Sequence, residues 1–333
     1  MTPIIFGLSG TALTDAERAF FASAAPAGYI LFKHNIAEPD QLRALTDSLR
    51  TLSGRDDLPI LIDQEGGRVA RMGPPYWPEF PCGAAFDALY SVAPMTAIEA
   101  ARCNAKAIGL LLRDAGISIN CMPVLDVACD ETHAAIGDRA LGSDPLRVAS
   151  LGRAILDGLH SGGVVGVVKH MPGQGRAGVD SHHELPRVDA GDDQLSIDIE
   201  PFIHLNNARI GMTGHVVYGA WDGDHCATMS PTIIAEIIRK RIGFDGLLLS
   251  DDLHMEALRG DIATRAVDCL AAGCDIGLAC WARGDDMEHI AAAVPEMSEA
   301  ALARLAAAGI GTRAEEEPIA DLIAKRDALL SYA

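Results

Sequence analysis

Short, continuously apolar runs rich in β-branched residues recur along the chain: PIIFGL at 3–8, GYILFK at 28–33, PILID at 59–63 and ISINCMPV at 117–124, then VVGVVK at 164–169, IGMTGHV at 210–216, GLLLS at 246–250 and DIGLAC at 275–280. A strand with one solvated face alternates apolar with polar residues, whereas a strand covered on both faces reads as an unbroken apolar run. Helical spacing fills the intervals. Leu42, Leu45, Leu49 and Leu52 step by three and four behind Pro39, and Ile98, Ala101, Ala105, Ile108 and Leu112 do so before Gly116. Val148, Leu151, Ile155 and Leu159 form a third stripe that ends at Gly162 and Gly163, and Ser230 with Pro231 reads as the start of a helix through Ile234, Ile237 and Arg241, closed by Gly243. Eight buried strands alternating with helices predict an α/β fold, a (β/α)8 TIM-type barrel in one domain, with an open doubly wound sheet as the competing arrangement.

The polar residues favour the barrel. In that fold, chemistry collects where the carboxyl ends of the strands open into loops, while an open sheet concentrates it at one switch point. Taken in order, the runs end in Lys33-His34-Asn35, Asp63, Asp126, Lys169-His170, His215 and Asp251-Asp252. The proline-rich stretch GPPYWPEFP at 73–81 reads as a rim loop over the mouth. No linker divides the sequence, so residues 1–333 are expected to form one catalytic domain with a helical C-terminal tail from about 282.

Composition narrows the class. The 333 residues carry 27 Lys plus Arg against 46 Asp plus Glu, a formal charge of −19, which disfavours a nucleic-acid partner because tracking phosphates needs clustered cations. No run approaches the length of a membrane span, and MTPIIFGLSG lacks the basic start of a secretory signal. The eight cysteines form no CxxC pair and sit in apolar runs, the usage of buried free thiols. A cytoplasmic enzyme acting on a small molecule, with no cofactor, no metal, and no nucleic-acid or membrane partner, is the expectation.

Three segments carry the candidate chemistry. In IDQEGGRVARM (62–72) a strand-end Asp63 precedes two glycines and two arginines, so Asp63 and Arg71 can share the hydroxyls of a sugar or simply pair to fix a loop. In KHMPGQGRAGVDSHHELP (169–186), Lys169 and His170 leave a strand into a loop shaped by Pro172, Gly173, Gly175 and Gly178. Asp180 and His182 follow two apart, on one side of an extended loop, where the carboxylate can orient the imidazole as a general acid and base. In GFDGLLLSDDLHMEAL (243–258), adjacent carboxylates on a strand point to opposite faces, so only one of Asp251 and Asp252 faces the axis, and Asp251 is the candidate. His170, His182, His183 and His215 invite a metal reading, but the first strand ends in GLSG with no HxH. Lys169 at a strand end also suits a Schiff-base aldolase, and a non-catalytic sugar-binding barrel is the reading outside enzymology. Trp77, Trp221 and Trp281 are candidates for stacking on sugar faces.

Taken together, IDQEGGRV, IGDRALGSDP (136–145), KHMPGQG with DSHHELP, and SDDLHMEAL resemble glycoside hydrolase family 3, specifically its single-domain bacterial β-N-acetylhexosaminidases. The resemblance runs from GYILFKHNI to AGCDIGLAC at 272–280, and departs from the family's common pattern at Met171, Gln174 and 176–179. It implies a retaining mechanism with Asp251 as nucleophile and His182 as acid/base oriented by Asp180, and it implies sugar contacts from Asp63, Arg71, Arg139, Lys169 and His170. The implied reaction releases terminal N-acetylglucosamine from anhydro-muropeptide fragments during cell-wall recycling. Phosphorolysis at the same site is the alternative outcome.

Overall fold

A computed structural model describes residues 1–181 and 183–332. Eight parallel strands close into a barrel: β1 (Thr2–Gly7), β2 (Pro26–Leu31), β3 (Ile60–Ile62), β4 (Ile119–Asn120), β5 (Val165–Met171), β6 (Ile210–Thr213), β7 (Leu247–Asp252) and β8 (Ile276–Ala279). Each strand pairs with its neighbour in sequence, and β1 closes on β8 through Ile4 opposite Gly277 and Phe6 opposite Ala279. The apolar runs end within a few residues of these strands. The open doubly wound sheet is thereby excluded.

Strands are unbroken apolar runs here because both faces are covered. Alternate residues divide into two separate sets. Ile5, Ile30, Leu61, Ile119, Val165, Val167, Leu247 and Leu249 fill the barrel, whereas Ile4, Ile62, Val168 and Leu248 pack outward under the helices. The predicted helices occupy Pro39–Ser53, Pro94–Asp114 and Pro145–Ser161. The fourth, Ile233–Arg241, has the wider π-type winding, and its start is capped as expected, with Ser230 Oγ accepting from the Ile233 amide at 3.0 Å. A proline at the first turn of the first three fits, because that position has no helical partner for an N–H.

The chain beyond β8 forms helices Asp285–Ala293, Glu299–Ala307 and Ile319–Leu330. The middle one closes the floor of the barrel. Met297, Ala301 and Leu305 join the interior apolar set, the Met297 amide donates to the Met1 carbonyl at 3.0 Å, and Arg304 reaches Asp275 at 3.0 Å. The last helix packs along Pro94–Asp114, where Arg326 donates to Asn104 at 3.1 Å and Lys106 meets Glu317 at 2.8 Å. With the floor sealed, the opposite end is left open for chemistry.

Candidate active site

The interior set of side chains continues past the last apolar residue of each strand. On β7, Leu247 and Leu249 point into the barrel, so the period of two puts Asp251 on the same face. Lys169 follows Val165 and Val167 in the same way, and Asp63 follows Leu61. These three ends converge on an open cavity of about 770 Å³ that also receives Arg71, Arg139, His170, Gln174, Asp180, Ser181, Met212 and Trp281. Every sequence-predicted site residue that the structure describes lines this one cavity. His182 lies outside the described residues.

A five-membered ionic cluster forms one part of the wall. Lys169 Nζ sits 3.2 Å from Asp63 Oδ1 and 2.7 Å from Glu65 Oε1, and is itself only 3% exposed. Arg71 Nη2 donates to Asp63 Oδ2 at 3.0 Å, and Arg139 grips Glu65 through two bonds of 2.8 Å. Burial pushes the Asp63 and Glu65 carboxyls up, but the Lys169 charge, with Arg71 on one and Arg139 on the other, overrules it and holds both well below the carboxylate range. Burial likewise pushes Lys169 down, and the two carboxylates more than reverse it. Lys169 is therefore kept protonated, without the lone pair that a Schiff base requires. That argues against the aldolase reading.

Next to this cluster, His170 Nδ1 lies 2.7 Å from Asp126 Oδ2, and Asp126 Oδ1 accepts from the backbone amides of His170 at 3.2 Å and Gln174 at 2.7 Å. Burial raises the Asp126 carboxyl, yet the His170 charge and these bonds hold it below its ordinary range. The carboxylate fixes the ring and turns its other nitrogen, Nε2, away from Asp126.

The two carboxylates of β7 have different partners. Asp252 Oδ1 accepts from the amides of His254 at 3.1 Å and Cys280 at 3.3 Å, so it closes the turn against β8. Asp251 Oδ1 accepts from the Asp252 amide at 2.8 Å, and its Oδ2 has no partner among the described residues. His215 Nε2 donates to the Asp252 carbonyl at 3.0 Å, and Nδ1 pairs with Thr228 Oγ1 at 2.8 Å. Burial lowers the His215 pKa, in keeping with a neutral ring that steadies the backbone beside Asp251, and both ring nitrogens are engaged. This removes one member of the histidine set that suggested a metal.

Beyond β5, the backbone turns through Gly173 and Gly175, where side chains do not fit: a Cβ at Gly175 would overlap the Val127 carbonyl. Asp180 and Ser181 then return to the cavity. Of the tryptophans, Trp77 is buried under the rim loop and Trp221 donates to Asp192 at 2.7 Å, while Trp281 stands at the cavity mouth, 4.7 Å from the Phe32 ring. Residues 73–80 line a second cavity of about 550 Å³, which shares Lys33 and Arg71 with the first. Sequence reasoning misses Glu65, and names Asp126 as a strand-end acid without giving it a role. Glu65 shows a local signal, being two positions after Asp63 and so able to face the same way, and Asp126 stands at a strand end.

Residues 8–308 match the model of the glycosyl hydrolase family 3 N-terminal domain. The chain belongs to glycosyl hydrolase family 3. Its curated relatives include a beta-hexosaminidase of Alkalilimnicola ehrlichii, 37% identical over 84% of this chain and 80% of the relative, and one of Chromobacterium violaceum, 37% identical over 94% and 88%. Among solved structures, NagZ from Neisseria gonorrhoeae in complex with N-trifluoroacetyl-D-glucosamine superposes with a TM-score of 0.88 at 29% identity, covering 99% of this chain and 97% of that one. A family 3 β-N-acetylglucosaminidase from Paenibacillus sp. str. FPU-7 gives 0.82 at 29% identity, covering 98% of this chain and 62% of that one. The family 3 match begins before β2 and ends beyond β8, so it takes in the helix that seals the barrel floor. A family 3 barrel is a glycosidase, which sets aside the non-catalytic reading.

Proposed function

We propose that this chain is a retaining β-N-acetylhexosaminidase that removes terminal N-acetylglucosamine from anhydro-muropeptide fragments through a covalent glycosyl-enzyme on Asp251. The observation that carries the reading is the interior position of Asp251, whose Oδ2 has no partner among the described residues, in the same cavity as the Asp63–Lys169–Glu65–Arg139 cluster and the Asp126-held His170. Asp251 Oδ2 attacks the anomeric carbon while His182, oriented by Asp180, gives its proton to the departing oxygen. The same imidazole then takes a proton from water, which attacks the anomeric carbon and releases Asp251. The hydroxyls and acetamido group of the sugar are held by Asp63, Arg71, Arg139, Lys169 and His170, whose fixed ionic partners leave little reorganisation to do on binding. Relatives named as beta-hexosaminidase and a neighbour holding an N-acylated glucosamine support N-acetylglucosamine as the glycone. Among the described residues no helix is long and apolar enough to cross a membrane, and we place the reaction in the cytoplasm.

Turnover of an aryl N-acetylglucosaminide, followed by trapping with a 5-fluoro glycosyl donor and peptide mapping, tests this. The label is expected on the peptide containing Asp251 and is expected to vanish in Asp251→Ala. A label elsewhere rejects the assignment. The same assay run with phosphate separates hydrolysis from phosphorolysis, because the second releases a sugar 1-phosphate.

A further inference from the structure

The loop after β5 consists of two parts held in different ways. From Met171 to Ala177 it is fixed on several sides: the Gly173 carbonyl accepts from Tyr218 Oη at 2.8 Å, the Gly175 carbonyl from Thr132 Oγ1 at 2.6 Å, and the Ala177 carbonyl from the His133 amide at 3.2 Å. Arg176 adds an ion pair with Asp198 at 2.8 Å. The chain is open to solvent at Gly178, His183 and Glu184, yet Ser181, which lies between Gly178 and His183, is buried. What holds Ser181 is Gln174: its Nε2 donates to Ser181 Oγ at 3.1 Å.

Gln174 is well placed for this. Its amide N–H is fixed by Asp126 Oδ1 at 2.7 Å, the same carboxylate that holds His170. Its Oε1 is buried with no partner among the described residues and lies against Gly214, where a Cβ would come within 3.0 Å of it. A buried acceptor without a donor is costly, and such an orphan in a folded protein calls for an explanation. Here the side chain is wedged so that its other end meets Ser181.

We infer that Gln174 is the positioning residue of the acid/base arm: by holding Ser181, the covalent neighbour of both Asp180 and His182, it sets where that pair stands over the sugar. The inference rests on the glycosidase reading above and adds a residue to it. Gln174 acts through Ser181, so its loss should weaken proton delivery to the leaving group while leaving attack by Asp251 intact.

The test uses Gln174→Met, Ser181→Ala, their double variant and Gln174→Glu, each checked for folding by labelling of Asp251 with the 5-fluoro donor. kcat/KM is measured for a 2,4-dinitrophenyl glycoside, which needs little protonation, and for an alkyl glycoside, which needs much. Gln174→Met is expected to change the ratio of the two at least tenfold against the alkyl substrate. Ser181→Ala should match it, and the double variant should be no worse than either, because both remove one bond. Gln174→Glu, which still offers an oxygen to the Ser181 hydroxyl, should recover most of the ratio. An unchanged ratio, additive losses, or a Glu variant as poor as Met would overturn the inference while wild-type turnover upheld the glycosidase reading. No turnover by the wild-type chain would overturn both.

Discussion

Lys169→Met removes an ammonium that stands 3.2 Å from one buried carboxylate and 2.7 Å from another. At an effective dielectric of about 20, those contacts are worth roughly 5 and 6 kcal/mol before desolvation of the ammonium is charged against them. Breaking a buried ionic group by deleting one partner typically costs about 3–5 kcal/mol. Asp63 keeps Arg71 and Glu65 keeps Arg139, so the variant is not left with a bare carboxylate, and the loss should fall near the lower end, about 3 kcal/mol. Urea unfolding at pH 7, followed by tryptophan fluorescence, measures it. Acid supplies the sign check. Both carboxyls are held below their ordinary range in the folded chain, so their contribution is full above that range and is lost as pH falls through the lowered values. Less of that lowering survives in the variant, and the gap between the two proteins should therefore be widest near neutrality and close in acid. A gap under about 1 kcal/mol at pH 7, or one that widens toward pH 3.5, would refute the electrostatic account of the cluster.

Other perturbations probe the frame around the site. Leu249→Ala, in the barrel interior two residues before Asp251, should cost about 3 kcal/mol because a closed barrel cannot collapse around the void; a loss under 1 kcal/mol in urea unfolding would contradict that packing. Burial pushes the Asp198 carboxyl up to about 6 against the opposing pull of Arg176. Its raised folded value makes its contribution to stability greatest in acid and lost as pH rises through about 6, so the stability of wild type relative to Asp198→Asn should improve from pH 7 to pH 5. A flat or reversed difference in melting temperature would show that the pair titrates otherwise.

Much of the site is legible because strand parity is local. Once Leu247 and Leu249 face inward, Asp251 must do so, and the same counting delivers Asp63 from Leu61 and Lys169 from Val167. What parity does not reveal is who pairs with whom. Glu65 and Arg139 lie 74 positions apart, and Lys169 and Asp63 lie 106 apart. Gln174 reads in the sequence as a departure from the family pattern, and its grip on Ser181 seven positions later shows only when the loop is folded.

The sequence by itself determined the eight strands, the helices between them and the set of ionisable groups at the strand ends. These follow from apolar periodicity, caps and turns, which act over a few residues. Tertiary structure alone decided how the charges are balanced, which of two adjacent aspartates is tied to the Cys280 amide, and that a helix near the C-terminus seals the barrel floor. Those outcomes depend on ring closure bringing distant strands together and on burial, which makes an ion pair matter only where water is excluded.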